Sequence, residues 1–400
     1  MRFRCAVRGN PGAAGTRPAV RPLTPGLLVD DLLLPTVERI AVLRANRLGD
    51  LVLALPALAA LRSAYPAAEI TLLGAGWHPQ LLDGRPGPWD RVVVVPGCPG
   101  VRDTDTGEHD PEAVQRFLAA QRLRRYDLAV QLHGGGAHSN PFVRALDPAL
   151  SVGARARGAP ALDRDVPYVV TQHEVLRLLE VVALVGARTA DLEPVLAVTA
   201  RDRAAAAAVL PVDGPPVVGL HLGASDPRRR WPVQRFAAVA DDLAARGARV
   251  VVVGSGPDDA RAARALHAAV RTPVVDLVDR LSLPALTGVL AGCSLVVAND
   301  SGPRHLAAAV GAPTVGVFLA PNALSAGPLT ARRSRTAVSY RTRCPVCEQD
   351  QRQARCPHDA SLVADVEVDE VVQLSRELYD LAGAAVRPAT RPAFPSSATG

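Results

Sequence analysis

From residue 39 onward the chain alternates short apolar runs with longer stretches whose apolar residues recur at helical spacing. "RIAVLRA" (39–45) reads as a strand, "NRLGD" (46–50) as a turn and "LVLALPALAALRSAYP" (51–66) as a helix. "EITLLGA" (69–75) and "DRVVVVPG" (90–97) are further strands. "PEAVQRFLAAQRLRRY" (111–126) is a helix, "DLAVQLHGGG" (127–136) a strand running into glycines, and "HEVLRLLEVVALVG" (173–186) a helix. The scheme then repeats, with strands in "PPVVGLHLGAS" (215–225), "ARVVVVGSG" (248–256), "PVVDLVD" (273–279), "SLVVANDSG" (294–302) and "APTVGVF" (312–318). The helices between them are "WPVQRFAAVADDLAARG" (231–247), "DDARAARALHAAV" (258–270), "SLPALTGVLAGC" (282–293) and "PRHLAAAVG" (303–311).

Strands that are apolar without alternation, separated by helices, belong to parallel sheets covered on both faces. The pattern therefore predicts an α/β protein of two Rossmann-like, doubly wound domains facing each other across a cleft. The Pro- and Gly-rich "LPVDGPP" (210–216) marks the seam, giving domains over 37–210 and 211–385. Residues 1–36 and 386–400 are expected to be a disordered leader and tail, because they are Pro-, Gly- and Arg-rich or Ser- and Pro-rich without an apolar pattern. In such sheets ligands bind beyond the carboxyl ends of the strands.

Composition narrows the chemistry. All 45 Lys-or-Arg positions are Arg. A chain without lysine has neither a Walker P-loop nor a Schiff-base amine. The net charge of +6 suits anionic small molecules and a weak pull toward anionic lipid. No basic stripe interleaved with aromatics is present, so a nucleic-acid partner is not expected. No signal peptide and no apolar run of about 20 residues stand out, which predicts a cytoplasmic protein with mostly free thiols.

Six segments carry candidate chemistry. In "NDSGPRH" (299–305) an acid, a hydroxyl and a glycine precede a helix whose first amides and positive dipole end form an anion site. His305, one turn in, would add a donor or a cation; the bland alternative is that Asp300 or Ser301 only caps the helix. "HLGASDPRRRWP" (221–232) puts three guanidinium groups after another strand, and Arg forks suit a diphosphate. "GSGPDD" (254–259) has two glycines of a dinucleotide fingerprint but not the third, so its acids are candidates for a ribose hydroxyl. Asp50 after Gly49 is either an N-cap or a general base at the cleft. "HGGG" (133–136) resembles an oxyanion-hole string, but the G-x-S-x-G elbow that accompanies it in esterases is missing. Cys344, Cys347 and Cys356, with His358, have ligand types that could hold zinc, although Cys356 and His358 are closely spaced for a finger. No metal is expected in the chemistry.

Together "RANRLGDLVLALPALAALRSAYP", "YDLAVQLHG", "GASDPRRRWP", "VVVGSGPDD" and "VVANDSGPRHLAAAVGAPTVGVF" resemble glycosyltransferase family 9, the heptosyltransferases, over residues 38 to about 385. The resemblance implies the two-domain GT-B fold. It also implies inverting, metal- and cofactor-free transfer of a heptose from ADP-heptose to a sugar hydroxyl of a glycan or glycolipid, at the inner face of a membrane. By motif match it makes Asp50 the catalytic base. It places Ser225 and Arg230 on the donor phosphates, with Arg230 where family members usually carry Lys. It puts Asp258 or Asp259 on the ribose, with Asp258 the first choice, and Leu281 main chain on the adenine. Asp300 would face the donor sugar, and Ser301, Gly302 and His305 would surround the diphosphate. Two other readings remain: a GT-B transferase or epimerase using another nucleotide-sugar, and a non-catalytic sugar-nucleotide binder.

Overall fold

The computed structural model describes residues 32–103, 109–211, 213–352 and 354–386. Its first half contains β1 (Arg39–Leu43), α1 (Leu48–Ala64), β2 (Glu69–Gly74), α2 (His78–Leu82), β3 (Arg91–Val94), α3 (Pro111–Arg122), β4 (Leu128–Gln131), α4 (Ser139–Arg144), β5 (Leu150–Arg155), β6 (Arg164–Pro167), α5 (Glu174–Ala183) and α6 (Ala200–Ala207). The second half contains β7 (Val217–His221), α7 (Val233–Ala245), β8 (Arg249–Val252), α8 (Pro257–Ala269), β9 (Val274–Asp276), α9 (Leu283–Ala291), β10 (Cys293–Asn299), α10 (Gly302–Ala309), β11 (Thr314–Leu319), α11 (Ala320–Ala326), β12 (Ser334–Ser339) and α12 (Val368–Val386).

The strands form two six-stranded parallel sheets, ordered β3-β2-β1-β4-β5-β6 and β12-β11-β10-β7-β8-β9. Read from β9, the second sheet has the same order as the first. Each sheet reverses direction between its first and fourth strands: β1 pairs with β2 on one side and β4 on the other, and β7 lies between β8 and β10. That reversal opens a crevice at the carboxyl ends of β1 and β4, and another at those of β7 and β10. The two-domain parallel architecture expected from the hydrophobic pattern is present.

Several elements have no clear signal in that pattern. β5, "LSVGAR", is built largely from small residues, and the edge strand β12, "SRTAVS", is mostly polar. α2, α4 and α11 are each a turn or two long. α12 runs to Val386, and Leu34, within the expected leader, donates its amide to the Tyr65 hydroxyl at 3.3 Å. Residues 1–31 and 387–400 lie outside the described residues.

α1 explains how the halves join. Leu51 to Leu58 are buried in an unbroken run, with Ala60 and Leu61 buried beyond, so over its middle two turns the helix is covered on all sides and exposure is confined to its first turn, Ala59 and its last turn. A helix segment apolar on every side must be covered on every side. α5 covers one flank and α10, from the second sheet, another, so that one apolar core runs through α1, β1, α9, α10 and β10. Full burial of each large side chain is worth about 2 kcal/mol. The crossing is close: a β-carbon on Gly49 would lie 3.0 Å from the His305 ring, and one on Gly302 3.1 Å from Leu48 Cβ. α6 also packs chiefly on α9, so a helix placed before the seam in sequence already sits against the second half. Its Asp202 makes a buried, two-pronged ion pair with Arg85, at 2.6 and 2.8 Å.

Candidate active site

The loops that leave β1, β7 and β10 meet in one cavity of about 660 Å³ between the two sheets. Asp50, Ser225, Arg230, Asp258, Asp300, Ser301, Gly302 and His305 all line it. Leu281 does not; it packs part-buried against the shared core, just before the Ser282 cap of α9.

On the β1 side the chain turns from strand to helix over Arg44 to Arg47. Asp50 sits in the first turn of α1, where its Oδ2 accepts the Arg47 amide at 3.1 Å. The carboxylate therefore helps cap the helix, yet its side chain stays 39% exposed and faces the cavity. Beneath it lies Arg44, 1% exposed. The Arg44 guanidinium donates to the Asp50 carbonyl at 2.9 Å, to Glu174 Oε1 at 2.9 Å and to the Leu132 carbonyl, and it approaches Asp50 Oδ1 at 3.5 Å. A buried cation held by fixed acceptors keeps the turn and its acid in one position. His133 of the "HGGG" string serves the same turn, since its Nδ1 accepts the Ala45 amide at 3.2 Å. Burial, aided by the Arg44 charge, pushes its pKa down to about 4, so the imidazole is neutral.

The opposite wall starts from Asn299 at the end of β10. This side chain is fully buried; it donates to the Leu222 carbonyl at 2.6 Å and accepts the Trp231 amide at 3.0 Å. It thereby pins both ends of the Arg-rich loop. Trp231, also buried, donates its Nε1 to the Val366 carbonyl at 3.0 Å. Within the loop, Arg229 Nη1 donates to Asp300 Oδ2 and its Nη2 to Ser225 Oγ, both at 2.7 Å. Arg230 donates to the Ala224 carbonyl at 2.9 Å and to Asp258 Oδ2 at 2.8 Å. Arg229 and Arg230 both line the cavity, whereas Arg228 turns to Asp226 and Gln351.

α10 begins without a side-chain cap. Ser301 gives its hydroxyl to a contact with His221 Nδ1 at 3.0 Å. The simple capping reading of Asp300 and Ser301 is thus not what the structure contains, and the helix N-terminus faces the cavity. His305 receives Arg304 Nη2 at its Nδ1, 3.2 Å away. A guanidinium can only donate, so Nδ1 accepts and the ring proton sits on Nε2, 3.4 Å from Asp300 Oδ1. Burial and then the Arg304 charge lower the His305 pKa, against the pull of Asp300. The ring is a neutral donor rather than a cation. Burial alone would raise the Asp300 carboxyl, but the His305 hydrogen bond and the nearby cations outweigh it and hold it below the ordinary value.

Asp258 and Asp259, which the sequence left one residue apart in register, separate clearly. Asp258 is half-exposed and paired with Arg230 and Arg261. Asp259 is more buried, accepts the Ser255 amide at 2.9 Å and lies 3.4 Å from His221 Nε2. Gly223 and Gly254 make room for it: a β-carbon on either would come within 2.6 Å of its carboxylate. Both acids line the cavity. The sequence reading did not single out Arg229, His221, Arg47, Tyr168 or Arg177, all of which line it too. The run of three arginines was the only signal for Arg229. Arg304 is fully buried over the Phe318 ring, 4.8 Å from its centroid, and burial draws its pKa down to about 10.

Similarity to known proteins extends over both halves of the chain. A family model described as glycosyltransferase family 9 (heptosyltransferase) matches residues 115–357. The chain is 24% identical over 301 residues to lipooligosaccharide heptosyltransferase 2 of Haemophilus influenzae, covering 70% of this chain and 82% of that protein. It is 26% identical over 301 residues to lipopolysaccharide heptosyltransferase 2 of Escherichia coli, with the same coverage. Among solved structures, a family 9 glycosyl transferase from Veillonella parvula superposes with a TM-score of 0.70 at 21% identity, covering 86% of this chain and 97% of that one. E. coli heptosyltransferase WaaC with ADP gives a TM-score of 0.61 at 19% identity, covering 85% and 99%.

Proposed function

This chain belongs to glycosyltransferase family 9, the heptosyltransferases, and on that premise we propose that Asp50 and the Arg229–Arg230 wall divide one reaction between them. The protein is a glycosyltransferase that moves a heptose from ADP-heptose to a sugar hydroxyl. The observation that carries the division of labour is the single cavity in which an exposed carboxylate faces an uncapped helix N-terminus and two guanidinium groups.

On this reading the ADP diphosphate lies at the start of α10, between Ser225, Arg229, Arg230, Ser301 and Gly302. Helix amides and guanidinium forks both favour a dianionic bridge. Asp258 and Asp259 offer carboxylates for the ribose hydroxyls. Leu281, outside the cavity, is retained only as a main-chain neighbour for the base. Asp300 now holds Arg229 and His305; with donor present it is placed to accept a sugar hydroxyl, and Arg229 turns toward phosphate.

The acceptor hydroxyl approaches from the β1 side. Asp50 takes its proton, the acceptor oxygen bonds to the anomeric carbon on the face away from the diphosphate, and the carbon–oxygen bond to ADP breaks. One base and one stabilised leaving group suffice for such an inverting displacement. The acid needs an exposed oxygen and a fixed position, which the Arg47 amide and Arg44 supply.

The acceptor is proposed to be a glycolipid of the lipopolysaccharide or lipooligosaccharide kind, the classes that appear in the names of the relatives above. Val170 lines the acceptor side of the cavity and, with Val169, is left exposed, which suits an amphiphile presented at the inner face of a membrane. No helix among the described residues is long and apolar enough to cross a membrane.

The test is a donor screen with ADP-, UDP- and GDP-sugars, read by mass spectrometry, followed by acceptor trials. ADP release that depends on ADP-heptose and acceptor is expected. An epimerised sugar-nucleotide, or transfer only from a UDP- or GDP-sugar, would establish the other catalytic reading. Tight ADP-sugar binding without turnover on any acceptor would leave a binding protein.

A further inference from the structure

Between β12 and α12 the chain folds back on itself in a loop that none of the roles above uses. Cys344, Cys347, Cys356 and His358 come together there, with their ligand atoms all within 4.8 Å of one another. We propose that this cluster is a structural zinc site, and that the metal braces the Arg-rich donor loop from behind.

The geometry is that of a metal knuckle. Zinc–sulfur and zinc–nitrogen bonds of about 2.3 and 2.0 Å in a tetrahedron set the sulfur–nitrogen edge at about 3.5 Å. Cys344 Sγ lies 3.8 Å from His358 Nδ1. The turn "CPVCE" (344–348) wraps the first sulfur: the Val346 amide donates to Cys344 Sγ at 3.4 Å, and Glu348 adopts φ +59° to bring the chain around. Cys344 N to Gln349 O and Glu348 N to Cys344 O close the hairpin at 3.0 and 2.9 Å. Gln351 Nε2 donates to Cys356 Sγ at 3.2 Å. Donors aimed at two sulfurs are what thiolates need, and second partners of this kind orient ligands. Cys344 and Cys356 are 2% and 3% exposed, while Cys347 closes the outer side. None of Cys344, Cys347 and Cys356 is in a disulfide. Three thiolates and one imidazole select zinc over oxygen-seeking ions.

The link to the active site is short. Gln351 bonds Cys356 with its amide nitrogen and receives Arg228 Nη1 on its Oε1 at 3.1 Å. The Leu362 amide also donates to the Arg228 carbonyl at 2.8 Å. Arg228 adjoins Arg229 in the chain, so two hydrogen bonds and one peptide link join the cluster to the residues that line the cavity. Three thiolates around Zn²⁺ carry one net negative charge, which the Arg228 guanidinium complements. The zinc has no open position in this set, and its role is to hold the loop rather than to do chemistry.

The experiment begins with the full chain, produced without a metal-binding tag in zinc-supplemented medium. Elemental analysis is expected to find about one zinc per chain, and zinc X-ray absorption to find three sulfurs and one nitrogen. Cys344→Ser and Cys356→Ser should lose most of it. Removing zinc with a chelator should raise hydrogen exchange over residues 224–231 several-fold while leaving the first sheet unchanged. Gln351→Ala should keep its zinc yet show the same loosening, which separates bracing from misfolding. Less than a tenth of an equivalent of metal in folded wild type, a disulfide among these cysteines, or iron in place of zinc would overturn the assignment. Unchanged exchange over 224–231 after zinc loss would overturn the bracing. Neither readout depends on donor identity, so these results stand apart from those of the donor screen.

Discussion

The two crevices of this molecule occupy the same topological place in identical sheets and carry opposite chemistry. Beyond β1, a buried cation, Arg44, stands under an exposed acid, Asp50. Beyond β7 and β10, a buried acid, Asp300, stands under the half-buried cation Arg229. In each, the buried charge is satisfied by fixed partners and thereby orients the exposed one. The sheet supplies a place for a site, and the sign of the charge left facing the cavity decides which half of a reaction that place performs. A transferase needs both: a base for the acceptor and a positive cradle for the leaving diphosphate.

The comparison is most directly broken at Asp50. Asp50→Asn keeps an oxygen for the Arg47 amide but removes the base, so donor binding should stay within a few-fold while turnover falls about 10²–10⁴-fold. Steady-state assays with ADP titration check this; near-normal turnover would remove the acid from its role. Next come the cations of the other wall. Arg229→Ala and Arg230→Ala should each weaken ADP binding by roughly 10- to 100-fold, as expected for charge-assisted contacts of about 1.5–3 kcal/mol. Arg228→Ala should change it far less. Calorimetry across the three variants fixes which guanidinium groups face phosphate, and equal losses in all three would erase the distinction drawn between them.

A smaller effect is expected at His305. Because its ring is a neutral donor to Asp300, His305→Gln should retain much of the function and His305→Ala should weaken ADP binding by only several-fold, the helix amides remaining in place. A loss as large as that of Arg229→Ala would mean that His305 contacts the donor directly as a cation.

The smallest effect is on stability. His78 and His133, both beside Arg44, have pKa values lowered from 6.5 to about 3 and about 4, by burial and then by that charge. The unfolded chain takes up protons as pH falls through 6.5, and the folded chain does not until far lower. Each residue therefore costs stability as pH falls from 7 toward 4, about 1 kcal/mol by pH 5.5. Chemical denaturation at pH 7 and 5.5 should reveal this slope, and His133→Asn should remove part of it. An unchanged slope in that variant would mean that His133 accepts a proton as readily folded as unfolded.

Much of this was legible in the sequence. Short runs of Val and Leu bounded by turn residues read as strands covered on both faces, the longer apolar run of α1 reads as a helix by its length, and caps and glycines marked where strands turned into helices. The small-residue strand β5 and the polar edge strand β12 escaped because neither has an apolar run to read. Eight of the nine site residues expected from motifs line one cavity, since the ends of the first and fourth strands of a doubly wound sheet are neighbours by topology. Leu281 fell outside because its assignment concerned main chain at a turn, which side-chain patterns do not locate.

What the sequence determined alone is the kind of group at each strand end: an acid after Gly49, a guanidinium run before Trp231, a helix start after Asp300, and a set of sulfur and imidazole ligands near the end. The tertiary structure decided which of these are partners. That Arg229 rather than Arg228 meets Asp300, that Asp259 is the sheltered acid and Asp258 the open one, that His305 is neutral, and that four ligands 14 residues apart at most converge behind the donor loop are matters of ångströms between distant segments. Strand and helix signals arise from contacts within a few residues of one another, so they are written locally. Charge pairing falls off with distance and depends on burial, and both are known only once the two sheets have closed on each other.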